Sequence, residues 1–245
     1  MASNALKSKK LGYSLMNTLT RRAIIGHKVL AALEHSEAIR FTDANTLIDV
    51  GANKGQFSLA FRFHRKSAKI IAFEPLSNQA EIMARVFNGD RDFEIQQVAI
   101  SEITGTAEFH VADRADSSSL LRIGQNQSTA FNVKSNSIIQ VKTTKLDEVV
   151  NLSNLAHPVL LKVDVQGAEL LVFKGISDWS CIDYVYVELS FVELYEGQAL
   201  FPDVYDYLYK MGFVATGFFN QVSTLEFGPT QVDVLFKNSK LNDRA

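Results

Sequence analysis

Apolar residues fall along the chain in short runs closed by turn residues, and the runs alternate with stretches of helical spacing. Leu47, Ile48 and Val50 form the first run, Lys69–Phe73 (KIIAF) the second and Phe93–Ile100 (FEIQQVAI) the third. Between them, Gln56–Lys66 and Asn78–Asn88 carry apolar positions at the repeat of a helix with one buried face. Asn78 with Glu81 resembles a capping box, and Gly89 is a suitable terminator. Strand, helix, strand, helix, strand predicts a parallel sheet with right-handed crossovers. The rhythm then breaks. Thr106–Val111 and Ile138–Thr144 alternate as added strands, and the polar stretch from Ala112 to about Ser137, with Ser117, Ser118 and Ser119 adjacent, predicts a substrate-facing cover. Leu146–Leu152 reads as a short helix and Val159–Val165 as a strand followed by a helix to Lys174. Ile182–Leu189 is a further strand, and Phe201–Met211 a helix ended by Gly212. Phe213–Phe219 and Val232–Phe236 form a closing pair that slots an antiparallel strand into the sheet.

The N-terminal region has a different pattern. Leu11, Leu15 and Leu19, then Ile25, Val29 and Leu33, recur at four and predict helix from Leu11 to about Ile39. Seven Lys/Arg against two Glu make residues 1–40 basic, while the whole chain carries a net charge of −2. Residues 1–40 therefore read as a basic amphipathic helical extension, packed on the edge of a domain spanning 41–240 and acting in part as a lid. Weak peripheral contact with an anionic lipid surface is the other reading of that face. The acidic body gives no pull toward nucleic acid. One cysteine, Cys181, excludes an internal disulfide. No apolar stretch approaches the ~20 residues of a membrane span, and no signal peptide is read, so the expected location is cytoplasmic.

Candidate chemistry concentrates where the first run ends, at Thr46–Ser58 (TLIDVGANKGQFS). Gly51 and Gly55 allow a tight turn and close approach of backbone to a ligand. The helix start behind them presents unpaired N–H groups to an anion. Asp49, Gly51, Asn53 and Gly55 spell D-x-G-x-N-x-G, similar to the first motif of Rossmann-like S-adenosylmethionine-dependent methyltransferases, with Asn53 in a position that tolerates positive φ. The dinucleotide pattern G-x-G-x-x-G is absent, which counts against a nicotinamide-dependent oxidoreductase, the main alternative. Glu74 ends the second strand ~20 residues past the turn, where a carboxylate accepts ribose hydroxyls. Pro75 and Leu76 are suited to pack beside an adenine, and Ala99, near the end of the third run, completes the cofactor-binding set.

A closer resemblance is carried by LIDVGANKGQFS (47–58), FEP (73–75), the serine-leucine end of ADSSSL (115–120), Thr143–Asp147 and LKVDVQGAELLVFKG (161–175). Over roughly residues 45–190 the chain resembles the FkbM family of S-adenosylmethionine-dependent methyltransferases. The resemblance implies a Rossmann-like seven-stranded α/β sheet, mostly parallel with an antiparallel last strand, with a β-hairpin and loop inserted between the third and fourth core strands. It also implies S-adenosylmethionine as cofactor and methylation of a hydroxyl on a small-molecule or glycan acceptor, often a sugar. Gln166 departs from the Glu expected in the D-x-E-G-x-E pattern and removes one carboxylate.

In an open α/β sheet, ligands lie at the carboxyl ends of the strands, which gathers Asp49, Glu74, Asp164 and Glu188 around one crevice. A hydroxyl is a poor nucleophile and benefits from a base. Asp164 is the first candidate base, its alternative role being that of a structural carboxylate bonded to the cofactor's amino group or to nearby backbone. Glu188 is second, and Lys162 shares a strand face with Asp164. Glu169 reads as a cap or brace of the following helix and His110 as a packed or solvated histidine. Asp164, Glu169 and Glu188 could converge on a divalent ion, but nothing in their spacing requires it, and no required metal is expected. Phe191, Leu194, Tyr195, Leu200 and Phe201 read as an acceptor pocket or a homodimer interface. A cofactor-binding protein without catalysis is the remaining alternative.

Overall fold

The computed structural model describes residues 18–241. Its centre is a seven-stranded sheet of β1 (Thr46–Val50), β2 (Lys69–Phe73), β3 (Phe93–Gln96), β7 (Val159–Val163), β8 (Tyr184–Ser190), β9 (Phe213–Thr224) and β10 (Gly228–Asn238). Their order is β3-β2-β1-β7-β8-β10-β9, and β10 runs antiparallel to both neighbours, as the closing pair predicts. A smaller sheet holds β4 (Ala99–Ile100), β5 (Gly105–Ala112) and β6 (Ser135–Thr144) in the order β4-β6-β5.

Central strands buried on both faces carry apolar residues at nearly every position. Alternation sends Ile48, Val50, Leu161 and Val163 to one core, and Leu47, Leu160 and Leu235 to the other. The second face is not wholly apolar. Asp49, Lys162 and Tyr186 are cross-strand partners in one row across β1, β7 and β8, and Asp233 lies two residues before Leu235 on β10. Helices α1 (Thr18–His27), α2 (Ser36–Thr42) and α3 (Gln56–His64) belong to this face, through Ala23, Ile39 and Phe61 of its core.

Several expected elements differ in the structure. Of the helix expected over 11–39, residues 11–17 lie outside the described residues, and the remainder breaks at Lys28, whose φ is +56°. There the Lys28 and Val29 N–H groups turn back to the Ile24 and Ala23 carbonyls, and the chain continues through a 3₁₀ turn, Leu33–His35, into α2. The run FEIQQVAI is two strands. Its apolar parity changes from Phe93 and Ile95 to Val98 and Ile100 across Gln96-Gln97, so a single strand would not keep both pairs on one face. The second half pairs with β6 instead. Asn78 caps nothing, because α4 (Ser77–Val86) already includes it and Leu76 is its N-cap. The expected helix Leu146–Leu152 is α6 (Leu146–Val149) followed by a 3₁₀ turn. The cover carries α5 (Gln125–Phe131), and α7 (Glu169–Lys174) and α8 (Phe201–Lys210) follow the last parallel strands. The strand expected to Val165 stops at Val163, so Asp164 leads the loop beyond it.

Gly51 shows how tightly β1 meets that loop. Its φ is +76°, and a Cβ there would lie 1.9 Å from the Asp164 carbonyl oxygen. Gly51→Ala is expected to destabilise the fold by about 2 kcal/mol or more through left-handed strain and overlap. A shift in the urea midpoint with an unchanged slope is the expected result, and an unchanged midpoint would refute it.

Candidate active site

A cavity of about 470 Å³ opens where β1, β2 and β7 end. Its walls include the glycine turn Val50–Lys54, the Phe73–Leu76 corner, Asp164–Gln166, and the Lys28–His35 segment. Val98, Ala99 and Ile100 add an apolar side, and Ala115, Asp116, Ser118 and Leu120 of the cover close it.

The glycine turn is held from behind. Asp49 is fully buried and does not line the cavity. It accepts a hydrogen bond from Ser58 Oγ at 2.7 Å and pairs with Lys162 Nζ at 3.1 Å. The same ammonium donates to the Gly51 carbonyl at 3.1 Å and stands 3.6 Å from Asp164. It also lies 5.7 Å from the Phe57 ring centre, a cation–π contact. Burial alone would lower the Lys162 pKa, but the Asp49 and Asp164 carboxylates outweigh it and hold the ammonium above the ordinary lysine value. Asp49 and Lys162, read from sequence as ligand acceptor and catalytic neighbour, thus form a brace beneath the turn.

Glu74 faces the cavity from the end of β2. One carboxylate oxygen accepts from Asn53 N at 2.8 Å and the other from Leu76 N at 2.9 Å. Each oxygen keeps a lone pair for a further donor. Burial pushes the carboxyl up to about 7, with the two N–H groups and Lys162 acting in the opposite direction. Its ionisation therefore penalises the free fold. The penalty is absent below the ordinary glutamate pKa and grows as pH rises to about 7.

Asp164 also lines the cavity, its side chain 40% exposed, and accepts from Gln166 Nε2 at 2.8 Å. Tyr195 sets the orientation of that amide. Its hydroxyl lies 2.8 Å from Gln166 Oε1 and 3.0 Å from the Ser117 carbonyl, and it accepts from Gln127 Nε2 at 3.1 Å. With Oε1 engaged, the amide nitrogen faces the carboxylates. Glu188 lies outside the cavity lining and accepts from Gln231 Nε2 at 2.6 Å. Burial, then Asp164, Asp233 and Glu169, push it well above the carboxylate range. Glu169 is buried, accepts from Gly167 N at 3.0 Å, and is raised to about 7 by burial. His110 does not line the cavity; its backbone pairs with Ser119, tying β5 to the cover. Leu194 and Tyr195, read as pocket or interface, are wholly interior, and Phe191 stacks on Phe201 with centroids 5.3 Å apart.

Sequence reading missed His35, Phe57, Tyr186, Asn220 and Asp233. His35 lines the cavity, and its Nδ1 lies 2.9 Å from Tyr186 Oη and 3.2 Å from Asp233 Oδ2. No local motif joins residues separated by some two hundred positions; only the row across the sheet brings them together.

Replacing Lys162 by Met would leave Asp49 buried with Ser58 as its remaining side-chain donor. Lys162→Met is expected to cost about 3–5 kcal/mol of unfolding free energy, and a denaturant midpoint equal to wild type would show that the pair carries no such burden.

Comparison with known proteins gives consistent matches. A family model described as the methyltransferase FkbM domain matches residues 49–215. The 2-O-methyltransferase NoeI of Sinorhizobium fredii is 30% identical over 204 residues, covering 80% of each chain. Methyltransferase 1 of Beauveria bassiana is 27% identical over 180 residues, 66% of this chain and 72% of its own. Among solved structures, TrmK of M. capricolum in complex with S-adenosyl-homocysteine aligns with a TM-score of 0.47 at 7% identity, over 83% of this chain and 67% of that one.

Proposed function

The chain belongs to the FkbM methyltransferase family, and we propose that it is an S-adenosylmethionine-dependent O-methyltransferase acting on a hydroxyl of a small-molecule or glycan acceptor, a sugar first among these. The observation that carries this reading is Glu74. It lines the cavity with one lone pair left on each carboxylate oxygen, the acceptor pair that a ribose diol requires. The name of the relative NoeI, a 2-O-methyltransferase, supports oxygen as the site of transfer. Glu34, Glu74, Asp116 and Asp164 stand in the walls against Lys28, Lys54 and Lys162, a balance that favours a neutral hydroxylated acceptor over nucleic acid.

Fit to the cofactor follows from the residues. Glu74 would hold the ribose, Pro75, Leu76 and Ala99 would flank the adenine, and the Gly51–Gly55 turn would meet the amino-acid end. When bound, the cofactor supplies a methyl group on a positively charged sulfur, open to in-line displacement. The protein's share is to orient the acceptor oxygen, a contribution of ~7–11 kcal/mol in well-ordered cases, and to exclude water under the cover. No group of three His, Cys, Asp or Glu among the described residues is arranged to hold a metal ion.

Calorimetric titration with S-adenosylmethionine, S-adenosylhomocysteine and NADH tests the reading. Micromolar binding of both adenosyl ligands and none of NADH is expected; binding of NADH alone would overturn it. Because the ionised carboxylate is the better diol acceptor, affinity for S-adenosylmethionine should rise as pH increases through about 7. Glu74→Ala should weaken binding and flatten that dependence, whereas unchanged affinity would remove Glu74 from the ribose site.

Asp164→Asn separates the two roles open to this carboxylate, using methyl-labelled S-adenosylmethionine and a panel of methyl glycosides. A fall in turnover of 10²-fold or more with cofactor affinity unchanged identifies a base; parallel losses in both identify a binding residue.

A further inference from the structure

The methyl-transfer reading leaves one built feature of the cavity unused. His35 enters the wall from the 3₁₀ turn, beside Phe57 at 5.3 Å between ring centres. Its Nδ1 edge is held by a network anchored in the sheet. The Tyr186 hydroxyl donates to Asp233 Oδ2 at 2.9 Å, and Asn220 Nδ2 donates to the same oxygen at 2.8 Å. With its proton on Asp233, the Tyr186 oxygen meets the imidazole as an acceptor at 2.9 Å, and Asp233 Oδ2 is a second acceptor at 3.2 Å. Two acceptors around Nδ1 favour the tautomer that carries the proton there, although Asn220 Nδ2 also lies near, at 3.1 Å. That tautomer leaves a lone pair on Nε2, for which no partner exists among the described residues, and Nε2 is not among their buried polar atoms without a partner.

Asn220 is itself held in an unusual conformation. Its φ is +46°, and it sits in a β-bulge where Asn220 and Gln221 of β9 oppose Val232 alone. A bulge of this kind re-aims a side chain at the expense of strand regularity, a device concentrated beside active sites.

Resting on the methyl-transfer reading, we infer that His35 is the general base for the acceptor hydroxyl and that Asp233 and Tyr186 are its positioning residues. As the new oxygen–methyl bond forms, the methyl–sulfur bond breaks with its electron pair remaining on sulfur, and the hydroxyl proton passes to His35 Nε2. The imidazolium so formed donates its Nδ1 proton toward buried Asp233, the orientation and charge compensation of a base–carboxylate pair. Asp164 is already engaged by Gln166 and faces the Lys162 ammonium, and takes the binding role. The titratable groups in contact with the imidazole are Asp233 from β10 and the neutral phenol of Tyr186 from β8, and Lys162, Asp164, Glu34 and Lys28 line the same cavity.

Two measurements on the full chain test the assignment. Nitrogen-resolved NMR of the imidazoles, without cofactor and with His35→Gln to identify the signal, should show a neutral ring protonated at Nδ1. Asp233→Asn should move the proton to Nε2. A wild-type ring protonated at Nε2 overturns the proposal. In methyl transfer from S-adenosylmethionine to methyl glycosides, His35→Gln should lower kcat by about 10²–10⁴-fold and leave calorimetric cofactor affinity within twofold. Retention of kcat within threefold overturns the base role. A wild type that binds S-adenosylmethionine but methylates no glycoside refutes the acceptor reading separately, and the NMR result still decides the ring.

Discussion

The buried pair of Asp49 and Lys162 is the constraint on which the site depends. Two charges removed from water must satisfy each other, and here they do so at the junction of β1, β7 and the glycine turn. The ammonium ties three things at once: the Asp49 carboxylate below, the Gly51 carbonyl beside it and Asp164 at the cavity wall. The backbone curvature that creates room for a ligand is therefore set by electrostatics inside the core. Phe57 and Ser58, opening α3, complete that setting from the helix side.

Around this fixed floor the walls are borrowed. The second strand brings Glu74, the segment before α2 brings His35, and the inserted cover brings Ser118 and Leu120. Each wall comes from a different stretch of sequence, but the sheet that aligns them is a single rigid layer with apolar packing on both faces.

Much of this is legible in the chain alone. The alternation of buried strands and amphipathic helices, the closing hairpin and the Gly51–Gly55 turn follow from local pattern, because each is specified by neighbours a few residues apart. Glu74 was legible for the same reason, through its distance from the turn. The split of FEIQQVAI is written in the parity of its apolar residues. Asp49 and Lys162 were flagged as chemistry, but their burial depends on Ser58 and Phe57 arriving from a helix. His35, Tyr186, Asn220 and Asp233 were beyond local reading altogether. Their meeting depends on strand register and on one bulge, which no spacing in the sequence encodes.

Tyr195 carries a consequence of another kind. Its single hydroxyl joins Gln166 in the floor to Ser117 and Gln127 in the cover, and the phenol is wholly buried. Lifting the cover would pull apart contacts that share this one hydroxyl, which has a single proton to give to Gln166 Oε1 or the Ser117 carbonyl, and leave polar atoms briefly unpaired in a dry interior. An opening of the cover during turnover would therefore carry a barrier of its own, set by this one phenol and separate from that of the chemistry. The residence time of a spent cofactor would then be governed by the strength of one buried phenol's contacts as much as by affinity for the ligand itself.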